Sequence, residues 1–218
     1  MTAHRHIRPA AQLVDICKRL HQQGFLAAAD GNLSYRENGR IVITPSGVAK
    51  ADLHIDDLAE TDLKGEPVRG NPSSEKLMHL AIYQQCPQAV AVVHAHPPHA
   101  IAWSIARPDL HWLPEGAMSE LILAVGAVPV VPYARPGTAE LSSNLTPYLP
   151  GHRALILSRH GVICWGESLA EAYHGVERIE HAAKVLCLAH QLGGITELPA
   201  EEVAALRELR NALGDRIL

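Results

Sequence analysis

A chain of 218 residues, 47% of them apolar, can bury one sizeable core, and no shift in composition marks a second domain within residues 1–218. A formal charge of −4 with evenly scattered Lys and Arg offers neither a basic stripe for nucleic acid nor a polybasic segment for a membrane surface, so a small soluble partner is expected. The apolar runs are too short to span a bilayer and Met1–His6 open no apolar signal segment, so a cytoplasmic protein is expected. Cys17, Cys86, Cys164 and Cys187 stand singly, with no CxxC pair, and read as reduced, mostly buried thiols.

In chain order, Leu13, Ile16, Cys17 and Leu20 predict a helix over 10–23 that stops at Gly24. Residues 32–36 and 40–44 flank Asn38-Gly39, a dipeptide that accepts the positive φ of a tight hairpin turn. A polar connection follows, then Pro72-Ser73-Ser74-Glu75 with Ser73 or Ser74 as N-cap of a helix carrying Leu77, Met78, Ala81 and Ile82. A strand is expected over 89–96, a short helix over 98–104, a helical piece over 114–123 and a short strand over 128–131. Residues 154–158 and 162–165 form a β pair broken by Arg159-His160-Gly161. Ser168 and Glu171 have capping-box spacing and open a long helix ending at Gly193-Gly194, and a last helix runs over 199–213. Strands that mostly return as hairpins, with helices before, between and after, predict a mixed or antiparallel sheet between helices.

Fourteen histidines are present, and only those in a constellation matter. His94 and His96 are two residues apart at the end of an apolar strand, so their side chains share one face and supply half of a metal site. His160, between two apolar runs and followed by a glycine, is the candidate third ligand, and His99 is a lower-ranked rival. Three imidazoles leave a coordination position open, which is the arrangement of a catalytic zinc rather than a structural one. Glu75, in the first turn of its helix, either complements the helix dipole or acts as a general base beside the metal. Asn32, Ser46, Gly47, Ser73 and Ser74 bring hydroxyls, an amide and turn backbone to one place, a neutral seat for a phosphate monoester. Such a substrate would reach zinc with its other end.

The ordered set Gly31-Asn32-Leu33-Ser34, Thr44-Pro45-Ser46-Gly47, Ser73-Ser74-Glu75 with His79, His94-Ala95-His96, Pro132-Tyr133, Gly137-Thr138 and His160-Gly161 resembles the class II aldolase/adducin family over residues 11–192. The resemblance implies Zn2+ on His94, His96 and His160, an acid/base role for Glu75, and phosphate binding by Gly31, Asn32, Ser46, Gly47, Ser73 and Ser74. It further implies a three-layer α/β/α fold around a mainly antiparallel sheet, and a homotetramer with its active site at a subunit interface. The implied activity is cleavage of a ketose 1-phosphate to dihydroxyacetone phosphate and an aldehyde. Epimerases of pentulose phosphates and decarboxylases of sugar-acid phosphates share the family's metal chemistry. An adducin-like interaction module, which lacks the metal site, is the reading from another class, and the joint presence of His94, His96, His160 and Glu75 argues against it.

Overall fold

A computed structural model describes residues 9–218; the N-terminal stretch 1–8, read above for a signal segment, lies outside them. Eight strands form one sheet: β1 (Asn32–Glu37), β2 (Arg40–Ile43), β3 (Ala59–Asp62), β4 (Pro67–Arg69), β5 (Ala91–Ala95), β6 (Val130–Val131), β7 (Ala154–Leu157) and β8 (Gly161–Gly166). Their order is β4-β3-β2-β1-β5-β8-β7-β6. Every neighbouring pair is antiparallel except β6 with β7. The helices are α1 (Pro9–Gln22), α2 (Lys76–Gln85), α3 (Pro98–Ala106), α4 (Ser119–Ala124), α5 (Ala139–Leu145), α6 (Leu169–Gln191) and α7 (Ala200–Leu213).

Strand alternation sorts the core into two layers. Ala91, Val93, Val162 and Cys164 face a cluster with Leu13, Ile16 and Leu20 of α1 and Tyr173, Val176 and Ile179 of α6. Val92, Ile163, Trp165 and Leu155 point the other way, onto Met78 and Ile82 of α2 and Leu141 and Leu145 of α5. Helices therefore cover both faces, and the three-layer α/β/α fold with a mainly antiparallel sheet stands. The β1–β2 hairpin turns through Asn38 and Gly39 at φ 50° and 75°. Ser168 caps α6 by accepting from the Glu171 N–H at 3.1 Å. None of the described helices is long and apolar enough to cross a membrane.

Three local expectations change. The hairpin β3–β4 stands where a polar connection is expected, because short edge strands with charged outer residues lack the apolar alternation of a central strand. Helix α5 has no counterpart among the expected elements; Thr138 caps it by accepting from the Leu141 N–H. At α2 neither Ser73 nor Ser74 is the N-cap. Glu75 occupies that position, and its side chain makes no capping bond. The Ser73 hydroxyl instead accepts from the Glu75 N–H at 3.3 Å, a turn that leaves the carboxylate free to point away from its own helix.

Candidate active site

The ends of β1, β5 and β8 meet at one edge of the sheet, where register sets Asn32 opposite His94 and His94 opposite Ile163. His94 lies on the α2 face, fully buried. Its Nδ1 is 2.8 Å from the Val162 carbonyl, which can only accept, so Nδ1 carries the proton and the Nε2 lone pair faces the site. His96 stands one residue past β5, held by its N–H on the Phe25 carbonyl, with Nδ1 3.5 Å from the Asp30 carboxylate. His160 sits in the β7–β8 turn beside Arg159, whose φ is 61°. The three ring centroids are 4.7, 4.9 and 5.0 Å apart. Gly161 makes this approach possible, since a Cβ there would collide with the Ala95 carbonyl and press on His96 Cδ2 at 2.9 Å.

Glu75 completes the cluster from α2, with Oε2 3.3 Å from His94 Nε2 and Oε1 3.3 Å from His160 Nε2. One ligand atom from each of Glu75, His94, His96 and His160 lies within 4.8 Å of the others. The Nε2 atoms of His94 and His96 approach to 3.1 Å, and the buried Oε1 of Glu75 has no hydrogen-bond partner. Converging imidazole nitrogens around a carboxylate oxygen that lacks a proton donor fit a divalent cation. Burial pulls the Glu75 carboxyl upward, but the adjacent imidazoles of His160 and His94 outweigh it and hold it well below the usual carboxylate range. Burial, reinforced by the charges of His94 and His160 against that of Glu75, brings His96 down to about 3. A neutral imidazole is the ligand form. His99 is not part of the cluster: its Nδ1 is 2.6 Å from Glu180 of α6, whose carboxylate also accepts the N–H groups of His99 and Ala100 at the start of α3.

A cleft of about 400 Å³ opens beside the cluster, lined by Gly31, Asn32, Ser46, Gly47, Ser73, Ser74, Glu75, His96 and His160 among others. The loops are tied together: the Ser46 N–H donates to the Asn71 carbonyl at 3.0 Å and the Ser73 N–H to the Thr44 carbonyl at 3.1 Å. The N–H groups of Gly47 and Ser74 make no backbone hydrogen bond among the described residues. Asn32 turns its amide to Glu75 Oε2 and to His79, at 2.8 and 2.5 Å.

Residues 11–187 match the model of the Class II Aldolase and Adducin N-terminal domain. The chain belongs to that family. It is 32% identical to 3-oxo-tetronate 4-phosphate decarboxylase of Pectobacterium atrosepticum, covering 91% of this chain and 92% of the relative. It is 33% identical to L-fuculose phosphate aldolase of Methanocaldococcus jannaschii, over 81% of this chain and 94% of the relative. The solved L-fuculose-1-phosphate aldolase of Thermus thermophilus superposes with a TM-score of 0.77 at 33% identity, over 87% of this chain and 98% of that one.

In this class II aldolase family member the cleft also holds groups that sequence patterning passes over. Lys50 is buried, 1% exposed, and its Nζ donates to the Ala29 and Val48 carbonyls, each at 2.9 Å. It clasps the two loops; burial lowers its pKa, against the pull of Cys17 and Asp30. A lysine in a polar stretch carries no spacing signal, so only the fold reveals its place. Asp30 and Gly137 line the cleft as well. Glu115, in the helical piece expected over 114–123, does not: it pairs with Arg207 of α7 at 2.7 Å.

Proposed function

We propose that this chain is a divalent-metal-dependent carbon–carbon lyase that releases dihydroxyacetone phosphate, with cleavage of a ketose 1-phosphate to that product and an aldehyde as its reaction. The single observation that carries the reading is the Glu75/His94/His96/His160 cluster opening into a cleft bordered by Ser46, Gly47, Ser73 and Ser74. His94, His96 and His160 would hold the metal, with zinc as the expected ion. A cation held there supplies positive charge against the negative charge that develops on the substrate's carbonyl oxygen. Gly31, Ser46, Gly47, Ser73 and Ser74 seat the phosphate, with Asn32 at its border. The substrate's C3–C4 electron pair stays on C3 as the C4 hydroxyl gives up its proton and the aldehyde departs, and Glu75, ionised at rest, takes up a proton and delivers it to C3. The reading extends to one domain over residues 1–218, a homotetramer with the cleft at a subunit interface, and a cytoplasmic location.

A second reading, decarboxylation of a 3-oxo sugar-acid phosphate, ends at the same place. Loss of the carboxyl carbon from a 3-oxo-tetronate 4-phosphate leaves the electron pair on the carbon beside the carbonyl, and protonation there again gives dihydroxyacetone phosphate. Among the described residues that line the cleft there is no tyrosine. Carbon dioxide leaves from a carboxylate that is already ionised, whereas an aldehyde forms only as a hydroxyl proton is taken, and this favours the decarboxylase as the runner-up. The test is a coupled assay for dihydroxyacetone phosphate on the zinc-loaded protein. Substrates are L-fuculose 1-phosphate, 5-deoxy and 5-methylthio ribulose 1-phosphates and 3-oxo-tetronate 4-phosphate. Release from a ketose 1-phosphate supports the aldolase, release from the 3-oxo acid alone supports the decarboxylase, and silence across the panel refutes both.

A further inference from the structure

We propose that Tyr83, Ser34, His79 and Asn32 form a directed chain of hydrogen bonds that positions Glu75, fixing Oε2 and leaving Oε1 as the proton-transferring atom; the inference rests on the acid/base reading of Glu75. Ser34 lies two residues after Asn32 on β1, so both project from one face. Glu75, His79 and Tyr83 follow one another at four-residue intervals along α2, so they rise along one side of the helix. The Tyr83 hydroxyl is 2.8 Å from Ser34 Oγ, Ser34 Oγ is 2.7 Å from His79 Nδ1, His79 Nε2 is 2.5 Å from Asn32 Oδ1, and Asn32 Nδ2 is 2.8 Å from Glu75 Oε2. Asn32, Ser34, His79 and Tyr83 are all buried.

The direction of every bond follows from the last one. An ionised carboxylate only accepts, so the Asn32 NH₂ faces Glu75 and its carbonyl oxygen faces His79. That oxygen needs a donor, so the His79 proton is on Nε2 and Nδ1 accepts from the Ser34 hydroxyl. Ser34 then accepts from Tyr83. Each donor in the chain has one acceptor, and reversing any member would leave a buried group unpaired. Burial, aided by the charge of His94, brings His79 down to about 3, so the imidazole stays neutral as the pattern requires. The outcome is a carboxylate with Oε2 tied to Asn32, while Oε1, buried and without a hydrogen-bond partner, stands 3.3 Å from His160 Nε2 in the cluster that borders the cleft.

The test uses the full zinc-loaded chain. In His79→Leu the Asn32 oxygen loses its donor, the amide is free to turn, and kcat falls about 10- to 100-fold, as for other positioning partners of site residues, with KM and metal content near wild type. His79→Gln restores an N–H at the Nε2 position and recovers most of the loss; Tyr83→Phe costs less than His79→Leu. Independently of any substrate, ¹⁵N-histidine NMR shows His79 as the neutral Nε2–H tautomer. A kcat within twofold of wild type in His79→Leu, no recovery in His79→Gln, or an Nδ1–H tautomer would overturn the proposal. The tautomer decides the matter if His79→Leu does not fold, and it separates failure of this chain from failure to find a substrate.

Discussion

On one wall of the cleft stand His96 and His160, from the end of β5 and the β7–β8 turn, with His94 buried behind them; on the other, Gly47 and Ser74, whose N–H groups make no backbone hydrogen bond among the described residues, belong to loops pinned by Lys50, Asn71 and Thr44. The first wall holds its chemistry in side chains, the second in backbone conformation. A side-chain wall is intolerant of changes in residue identity, because each imidazole is both the donor and the shape of the site. A backbone wall tolerates changes in identity where its turns persist, though not at Gly31 and Gly47, whose φ of 67° and 75° favours glycine.

Four substitutions sharpen that contrast. His94→Ala should have the largest effect: metal analysis of the purified protein is expected to show loss of the bound ion and assays only background turnover, whereas one retained ion per subunit would contradict the ligand assignment. Glu75→Gln keeps the shape but removes the base, so kcat is expected to drop by about 10²- to 10⁴-fold with metal content unchanged. Gly161→Ala adds a methyl where the Ala95 carbonyl and both strand imidazoles crowd. Denaturant unfolding should show a loss of about 1–3 kcal/mol, together with weaker metal retention against a chelator. Ser46→Ala, on the backbone wall, removes one hydroxyl and should only raise KM, by about fivefold for a bond worth roughly 1 kcal/mol. A Ser46→Ala effect as large as that of Glu75→Gln would erase the distinction between the walls.

The side-chain wall is also the more legible one. His94-Ala95-His96 and His160-Gly161 stand out because strand alternation and a glycine at a turn translate directly into direction. Their separation in sequence, 94 to 160, is closed by the antiparallel pairing of β5 with β8, which only the fold reveals. The loops are legible only as a set. Ser73 and Ser74 have the look of caps and form the turn before one, and Lys50 gives no signal, because a buried cation held by two carbonyls depends on contacts made across 21 residues. His99, the lower-ranked rival, shows the opposite case, a histidine in suggestive spacing whose partner, Glu180, lies 81 residues away on α6. The β3–β4 edge and α5 escape for a related reason, since polar, short elements owe their structure to neighbours rather than to their own periodicity.

The most direct test of the central claim bypasses the identity of the departing group. The zinc-loaded protein is incubated with dihydroxyacetone phosphate in D₂O and the unphosphorylated hydroxymethyl carbon is followed by NMR. Catalysed replacement of one hydrogen there by deuterium, lost in Glu75→Gln and after chelation, is the predicted result. No exchange with the loaded wild-type protein, or wild-type exchange in Glu75→Gln, would contradict the account.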